Sequence, residues 1–373
     1  MIRRQKHRLL FVTYAAFILF WVIVAAALRI TSTFQQPSVR DAVLIDVPDA
    51  DPQESIEVGL FAENFYGFEP AHETFKADGW IWLKWPARFQ KILEQRSIEG
   101  ARLIHLTNLV EDWDSRLEPG LDEPIPLPDG RFYQKYRFSG YFNATGVDYH
   151  KYPFQTLSLP ISVELSEAVS VINQQAMPLR PDRLQSGIGD YIGVSGYVFE
   201  GLEILSGLHT YPSLLGLESL SGSPQKSQVR FKVAYRKSPN TTFLKLLMPL
   251  VTVMTLTLFA PSLSATGWDV RVGIPPTALL SLIFLQQGYH DQIPELSYLT
   301  YLDTIYNVCY LVNLVLFGLF LWGSNEYHSA PESERARVTE HIADVDRRFQ
   351  LGLAIFVLVL LLVNWFSISI RFG

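Results

Sequence analysis

Six residues between positions 273 and 291 have the spacing and chemistry of a water-lined surface. They follow one another in steps of four, three, four, three and four, the period of one face of an α-helix. This stripe is polar at its ends and apolar in its middle, and it consists of Gly273, Thr277, Leu280, Phe284, Gln287 and Asp291. A ring of such stripes would line a pore. A buried helix of a monomeric bundle would show the same period, so both interpretations remain open.

Two prolines interrupt the segment that carries the stripe. Pro275 and Pro276 lack backbone N–H donors, and such residues are tolerated in the first turn of a helix. The pair therefore predicts that the regular helix begins at about Ile274. Residues 269–273 would then form a wider or less helical mouth.

Four apolar segments predict membrane-spanning helices at about residues 243–263, 271–291, 302–322 and 349–370. Each has about 20 residues, enough to cross a hydrocarbon core of about 30 Å. A fifth apolar run, residues 9–28, follows the basic start MIRRQKHR, which orients the N-terminus inward. Residues 1–30 are either an uncleaved signal-anchor, which the length favours, or a cleaved signal peptide, which the small residues near its end allow. The charged residues 325–348 suit a short cytoplasmic connection between the last two spans.

The region between the first and second apolar runs has a different pattern. Residues 31–55 are rich in Pro, Asp, Ser and Gln and predict an extended linker. From Ile56 onward apolar and polar residues alternate in several segments separated by turns, which predicts half-buried strands up to residue 237. Antiparallel strands of this kind form a two-sheet sandwich. The chain is therefore predicted to be a membrane α+β protein, with a β-sandwich at 56–237 and helices at 238–373.

Composition and motifs exclude several other classes of protein. A net charge of −6 argues against a nucleic-acid surface. The single cysteine, Cys309, lies in an apolar run, so the chain has neither an internal disulfide nor a multi-cysteine metal site. The eight histidines show no metal-ligand spacing, and no nucleophile elbow, Walker loop or dinucleotide fingerprint is present. We predict neither an enzyme nor a bound cofactor or metal.

Four motifs and their order resemble the pentameric ligand-gated ion channels, the Cys-loop receptor superfamily, and particularly its prokaryotic branch. They are YHKYPFQTLSL at 149–159, VRFKVAYRKSP running into KLLMPL at 229–250, the striped segment ending in Ile-Pro, and YLTYLD at 298–303. The resemblance implies an extracellular immunoglobulin-like antiparallel β-sandwich, a four-helix transmembrane bundle and a homopentamer. The extra N-terminal apolar helix departs from the usual four spans.

The resemblance also implies which residues couple the sandwich to the pore. The aromatic-Pro-Phe loop of the family sits against the membrane domain, and a basic residue ends the last strand. Gln155 stands where the family most often has an acidic residue, which puts in doubt any ion pair formed from that position. A turn proline and a snorkelling arginine are the alternative interpretation. The coupling residues implied are Tyr152, Pro153, Phe154, Arg236, Pro294 and Glu295, with Glu295 a potential partner of Arg236.

In the family the ligand pocket lies between subunits and is lined by aromatic residues that hold cations or amines. Its roof would here be residues 207–227. The family's Trp-x-Pro signature is missing near residues 103–113. Aromatic residues of a sandwich core would give the same pattern. The candidates are Tyr191, Tyr197, His209 and Tyr211, and the sequence does not identify the agonist.

Asp269 matches the acidic residue at the inner mouth of the family's cation channels, and Asp291 lies at the other end of the stripe. Rings of carboxylates concentrate cations and repel anions. Asp269 could instead interact with the helix N-terminus, and Arg271 would oppose it if Arg271 pointed to the axis. The resemblance thus implies a ligand-gated channel for monovalent cations in the cell membrane, with its β-sandwich outside. The alternatives are a non-conducting membrane sensor or scaffold of the same architecture and a membrane-anchored binding module.

Overall fold

A computed structural model describes residues 44–45, 51–98, 100–110, 115–144, 147–166, 171–172, 175–176, 178–213 and 225–372. Contacts divide these residues into two compact units. The β-sheet unit contains the described residues up to Val147 and from Thr156 to Ser238, and the helical unit contains Asp148–Gln155 and the described residues from Pro239 onward. The predicted N-terminal segment 1–30 and most of the predicted linker lie outside the described residues.

The larger sheet of the β-sheet unit has seven strands. Its centre is formed by β2 (Ile56–Glu69), β3 (Thr74–Pro86) and β7 (Arg131–Asn143), which pair antiparallel. Every second residue of β3 is buried from Phe75 to Trp85, as predicted from the alternation. The shorter strands are β5 (Arg116–Pro119), β6 (Ile125–Pro126), β11 (Leu179–Pro181) and β12 (Gly187–Tyr191), and the helix α1 (Ala87–Arg96) follows β3.

The smaller sheet has five strands in the order β1-β13-β14-β8-β4. A long antiparallel pair, β13 (Tyr197–Thr210) and β14 (Gln225–Lys237), is flanked on the β14 side by β8 (Thr156–Leu165). The inward side chains of β8 and β14 are fully buried, among them Leu157, Ile161 and Phe231. The remaining strands are β1 (Leu44–Ile45) and β4 (Ile104–Leu106), and a separate two-stranded sheet is formed by β9 (Val171–Ile172) and β10 (Gln175–Ala176).

Two features of these sheets correct the prediction. The sheets are not wholly antiparallel, because β11 and β12 both pair parallel to β2. Long connections can return a strand in the parallel direction, whereas tight hairpins cannot, and alternation alone does not distinguish the two cases. Within the predicted linker, Leu44 and Ile45 pair with His209 and Leu208.

The helical unit contains four long helical segments: α2 (Pro239–Ser262), α3 (Trp268–His290), α4 (Tyr301–Ser329) and α5 (Arg335–Phe372). In the described residues, three segments are long and apolar enough to cross a membrane, namely Pro239–Ser262, Ala265–His290 and Tyr301–Ser329. A span at 349–370 within α5 stays a prediction. Most of the charged connection 325–348 is helical, because α4 continues to Ser329 and α5 begins at Arg335.

Local sequence accounts for several details of these helices. Pro249 cannot donate to a carbonyl one turn earlier, and α2 contains a wider π-helical turn at Phe243–Leu247. Thr300 and Asp303 form a reciprocal capping box that starts α4. Cys309 is buried in α4, as a small apolar side chain usually is.

Candidate functional site

The stripe residues all lie on the exposed side of α3. Leu280 is 55% exposed and Phe284 is 69% exposed, although both are large and apolar. The opposite side of the same helix is buried within the helical unit, at Arg271, Pro275, Ala278, Leu282 and Tyr289. The helix therefore packs within the helical unit with one face and leaves the stripe and Asp269 exposed. In the buried helix of a monomeric bundle, by contrast, these polar groups would be covered by neighbouring helices.

The polar ends of the stripe form hydrogen bonds within α3. The Thr277 hydroxyl donates to the carbonyl of Gly273 over 2.9 Å, and the Gln287 amide donates to the Asp291 carboxylate over 3.4 Å. These bonds are local and lie along the exposed face. Among the described residues, Thr277 and Gln287 thus have their hydrogen-bond partners along the stripe itself and none on another helix.

The structure corrects the predicted start of the helix. It begins at Trp268, and Pro275 and Pro276 lie inside it rather than in its first turn. Two donors are lost, but Pro275 is buried and Arg271, one turn earlier, is fixed by packing on other helices. These tertiary contacts hold the first two turns in line where local sequence favours a break.

The two charged residues near Trp268, Asp269 and Arg271, lie on different sides of the helix. Asp269 is exposed in the first turn, and the N-cap, Gly267, makes no side-chain capping bond. Arg271 points to the buried side and donates from Nη2 to Asp346 Oδ2 on α5. We call this the Arg271 end of the helical unit. Arg271 therefore does not share the exposed face of Asp269.

At the opposite end of α3, the carboxylate of Asp303 collects several hydrogen bonds. It accepts from the hydroxyl of Tyr289, from the backbone N–H of Thr300 over 2.9 Å and from the Thr300 hydroxyl over 2.9 Å. His290 Nε2 lies 3.1 Å from the same carboxylate. Asp303 is 5% exposed, so these donors replace water around it. This Asp303 end ties the last turn of α3 to the first turn of α4.

The loop Asp148–Gln155 packs at the Asp303 end. The backbone N–H groups of Tyr301 and Leu302 donate to the carbonyls of His150 and Tyr152 over 2.9 and 3.2 Å. The backbone N–H of Tyr149 donates to the Tyr298 hydroxyl over 3.1 Å. The contact expected between the aromatic-Pro-Phe loop and residues 295–301 is thus present, through backbone bonds that the motif did not specify.

Aromatic side chains extend this contact. The rings of His150 and Tyr298 stack with centroids 3.9 Å apart, and Tyr152 stacks on Tyr289 at 5.9 Å. Phe154 meets Trp365 of α5 edge-on at 5.7 Å. Ring pairs of this kind supply rigid apolar area with a defined orientation. Tyr152 therefore contacts the buried face of the striped helix directly.

Asp148 and His150 contact each other on this loop, with Oδ1 and Nδ1 2.6 Å apart. Burial favours the neutral acid, but the hydrogen bonds and charge of His150 outweigh it and keep the pKa of Asp148 below its usual value. The carboxylate is therefore ionised at neutral pH.

Two further coupling candidates, Pro294 and Glu295, line a cleft of about 570 Å³ after α3. Its walls are mixed: Gln287, His290, Asp291 and Asp303 contribute polar groups, and Ile293, Leu296 and Leu299 contribute apolar ones. In the part of the chain that the structure describes, no three His, Cys, Asp or Glu side chains lie close enough together to hold a metal ion.

Arg236 lies near the end of β14 and pairs with Glu200 of β13, with Nε and Oε1 2.9 Å apart. Burial lowers the pKa of the next residue, Lys237, to about 8. Arg236 is therefore the permanent cation at this strand end. Its pairing with Glu295 stays a prediction.

The predicted ligand residues fall into separate groups. His209 Nδ1 lies 2.8 Å from the buried carboxylate of Glu164, and the Tyr211 hydroxyl donates to the same carboxylate over 2.6 Å. Tyr197 is at the other end of β13, 12 residues from His209, a distance of roughly 40 Å along an extended strand. Tyr191 is 77% exposed on β12 of the other sheet. The four candidates therefore do not form one cluster, because β13 runs too far to bring its ends together.

Sequence reasoning missed three carboxylates that organise these groups: Glu164, Asp303 and Asp346. Asp303 could have been found from the Thr-x-x-Asp spacing at 300–303, which is a capping-box pattern. Nothing in the sequence links Glu164 to His209 or Asp346 to Arg271, since their partners are 45 and 75 residues away.

The structure combines a β-sheet unit with a helical unit whose helices can span a membrane. One of these helices, α3, has an exposed stripe. A comparison with known proteins supports the resemblance to the prokaryotic pentameric ligand-gated ion channels that was drawn from the motifs. In particular, the chain is similar to a proton-gated ion channel of Gloeobacter violaceus, with 22% identity over 344 residues that cover 90% of this chain and 88% of that protein. No family model matches the chain.

Proposed function

We propose that the protein is a subunit of a homopentameric, ligand-gated, cation-selective channel of the cell membrane. The observation that carries the proposal is the division of α3 into a buried packing face and an exposed stripe. Five copies arranged around an axis would bring five stripes together, because a closed ring repeats one contact by rotation. The β-sheet unit would then lie outside the cell and the membrane would surround the helical unit.

Within such a pore the stripe residues have distinct roles. Five Leu280 side chains would form an apolar constriction that gates by excluding water. Asp269 would form a carboxylate ring at one mouth, which attracts cations and repels anions, and Asp291 a second ring at the other mouth. Asp269 in the first turn of α3 and Asp291 directly after its last residue are both exposed, which supports these roles.

Opening would be driven from the β-sheet unit through the loop Asp148–Gln155. This loop follows β7 and precedes β8 in the chain, and Tyr152 packs on Tyr289 of α3. A ligand that favours one arrangement of this contact would shift the balance between closed and open states. Phe154, Pro153, Arg236, Pro294 and Glu295 complete the proposed coupling set.

Protons are the first stimulus to test. The similar Gloeobacter protein is proton-gated. Four histidines of the described residues lie beside carboxylates, in the pairs Glu69–His72, Asp148–His150, Glu164–His209 and Asp303–His290. Histidine is the side chain whose charge ordinarily changes between pH 5 and 8. A small-molecule agonist at the Glu164, His209 and Tyr211 cluster is the other candidate.

The deciding experiment is conductance of the purified protein in planar bilayers, with a salt gradient and a pH step on one side. We expect currents whose reversal potential lies toward the sodium equilibrium potential. Native mass spectrometry should give five copies of the chain in one particle. A five-copy particle that never conducts would favour a non-conducting sensor of the same architecture, and a monomer or dimer would remove the pore.

A further inference from the structure

The buried ion pair at the Arg271 end is isolated from other polar groups. Both side chains are 3% exposed, and Arg271 Nη2 donates to Asp346 Oδ2. Among the described residues, Arg271 Nε and Asp346 Oδ1 are buried atoms without a hydrogen-bond partner. Each charge thus depends on the other, because water reaches neither.

The pair also joins three helices. Arg271 is on α3 and Asp346 on α5, and the guanidinium lies 4.7 Å from the centre of the Phe320 ring on α4. A guanidinium prefers the face of an aromatic ring when it is removed from water. The position of Arg271 is therefore determined on two sides, by charge and by the ring.

Two residues before Arg271, Asp269 is exposed on the other side of α3. One helix end thus carries an acidic and a basic side chain, of which only the basic one has its charge cancelled by a buried partner. The carboxylate of Asp269 is left as the uncompensated charge on the exposed face.

We infer that Asp346 is a positioning residue for ion selectivity, although it lies on the last helix and not on α3. It cancels the charge of Arg271 and holds its side chain on the buried side, so that Asp269 alone sets the sign of the charge at that mouth. This inference rests on the proposed channel function.

The test replaces Asp346 by Asn and compares it with Asp344→Asn. Asp344 is two residues away on the same helix, and its partner Arg348 is 82% exposed. Both variants remove one negative charge, but only Asp346→Asn leaves a buried arginine without its partner. In the salt-gradient measurement we expect Asp346→Asn to lower the permeability ratio of sodium over chloride several-fold. Asp344→Asn should leave the ratio unchanged.

The double variant Arg271→Gln with Asp346→Asn separates pairing from a loss of fold. We expect it to restore the wild-type permeability ratio, because neither charge remains. In detergent, each single variant should lower the melting temperature by about 5 to 10 °C, since a buried charge is left without its partner. The double variant should recover most of that loss.

The outcomes distinguish this inference from the proposed function. A wild-type protein without current would refute the function, and a non-additive stability cycle would still establish the pair as the anchor of Arg271. Equal changes of selectivity in Asp344→Asn and Asp346→Asn would overturn the inference, because bulk charge would then explain both. An additive stability cycle, or a double variant as chloride-permeable as Asp346→Asn, would overturn it as well.

Discussion

The two faces of α3 differ in what holds them. The buried face ends in a polar anchor on each side, Arg271 with Asp346 at one end and Tyr289 with Asp303 at the other. Between them Ala278 and Leu282 pack tightly, with Leu282 fully buried. On the exposed face, the side chains of Thr277 and Gln287 form hydrogen bonds with Gly273 and Asp291, one turn away along the same stripe. One face thus carries the packing contacts, and the other remains exposed.

This difference has a physical basis. Burial requires that polar groups find partners and that apolar groups fill space. Neither requirement applies to a stripe that borders water, so charge, size and hydration can determine its residues instead. Substitutions on the two faces should therefore have separable consequences, in unfolding for one and in conduction for the other.

The strongest way to break the buried face is Asp303→Ala. The change removes the acceptor for Tyr289 and Thr300, and we expect the free energy of unfolding to fall by roughly 4 kcal/mol. Chemical denaturation of the detergent-solubilised protein measures the loss. Asp291→Ala is the matched control, because Asp291 is exposed near the same end of α3. Equal losses in both variants would contradict the role of Asp303 as an anchor.

A second comparison sets Leu282→Ala against Leu280→Ala. The two residues are neighbours on α3, but Leu282 is 0% exposed and Leu280 is 55% exposed. The first change should leave a cavity and cost roughly 3 kcal/mol of unfolding free energy, and the second should cost less than about 1 kcal/mol. The same denaturation measurement applies. If Leu280→Ala proved the more destabilising change, the assignment of the two faces would be reversed.

The exposed face should respond in conduction instead. Leu280→Ser places five hydroxyls in the proposed constriction and should raise the agonist sensitivity of opening about tenfold, equivalent to about 1.4 kcal/mol. Dose-response currents measure it. Leu279→Ser is the control, since Leu279 is partly buried next to the stripe. A change of gating in Leu279→Ser with none in Leu280→Ser would show that the stripe is rotated.

The smallest effect concerns the loop at the Asp303 end. The pKa of Asp148 is lowered by His150, so the folded state favours the carboxylate, and this stabilisation is present above about pH 4. It should be lost as the pH falls through the lowered pKa, and Asp148→Asn should lack that part of the acid sensitivity. Because Asp148 is 38% exposed, solvent screening keeps the effect small.

Unfolding midpoints between pH 3 and 7 measure this prediction. The exposed Asp190 provides the control, through Asp190→Asn. Identical acid sensitivity in wild type and Asp148→Asn would show that the contact between Asp148 and His150 contributes nothing to the free energy of unfolding.

The sequence was informative where a residue's environment repeats along the chain. Alternation in β3 and the helical period of α3 identified which side chains share a face, because both periods follow from backbone geometry. The parallel pairing of β11 and β12 with β2 was not predictable, since alternation carries no strand direction. The helix start was misplaced for a related reason. Pro275 and Pro276 have a strong local preference, and packing around Arg271 overrides it.

The anchors themselves were the least predictable part of the site. A polar residue on an apolar helix has many potential partners, and the choice depends on which helices meet and at what height. Arg271 and Asp346 could be paired only once the positions of α3 and α5 within the helical unit were known. Asp303 was partly accessible, because its bond to Thr300 is local.

Cys309 has a practical consequence for chemical labelling. It is the single cysteine of the chain and is 4% exposed within α4, so a polar thiol reagent has little to react with in the native subunit. At Gly273 an added Cβ would meet no atom within 4 Å, so Gly273→Cys introduces a thiol without displacing a neighbour. Single cysteines introduced along α3 could thus be labelled in the wild-type background, because the native cysteine would not have to be replaced first.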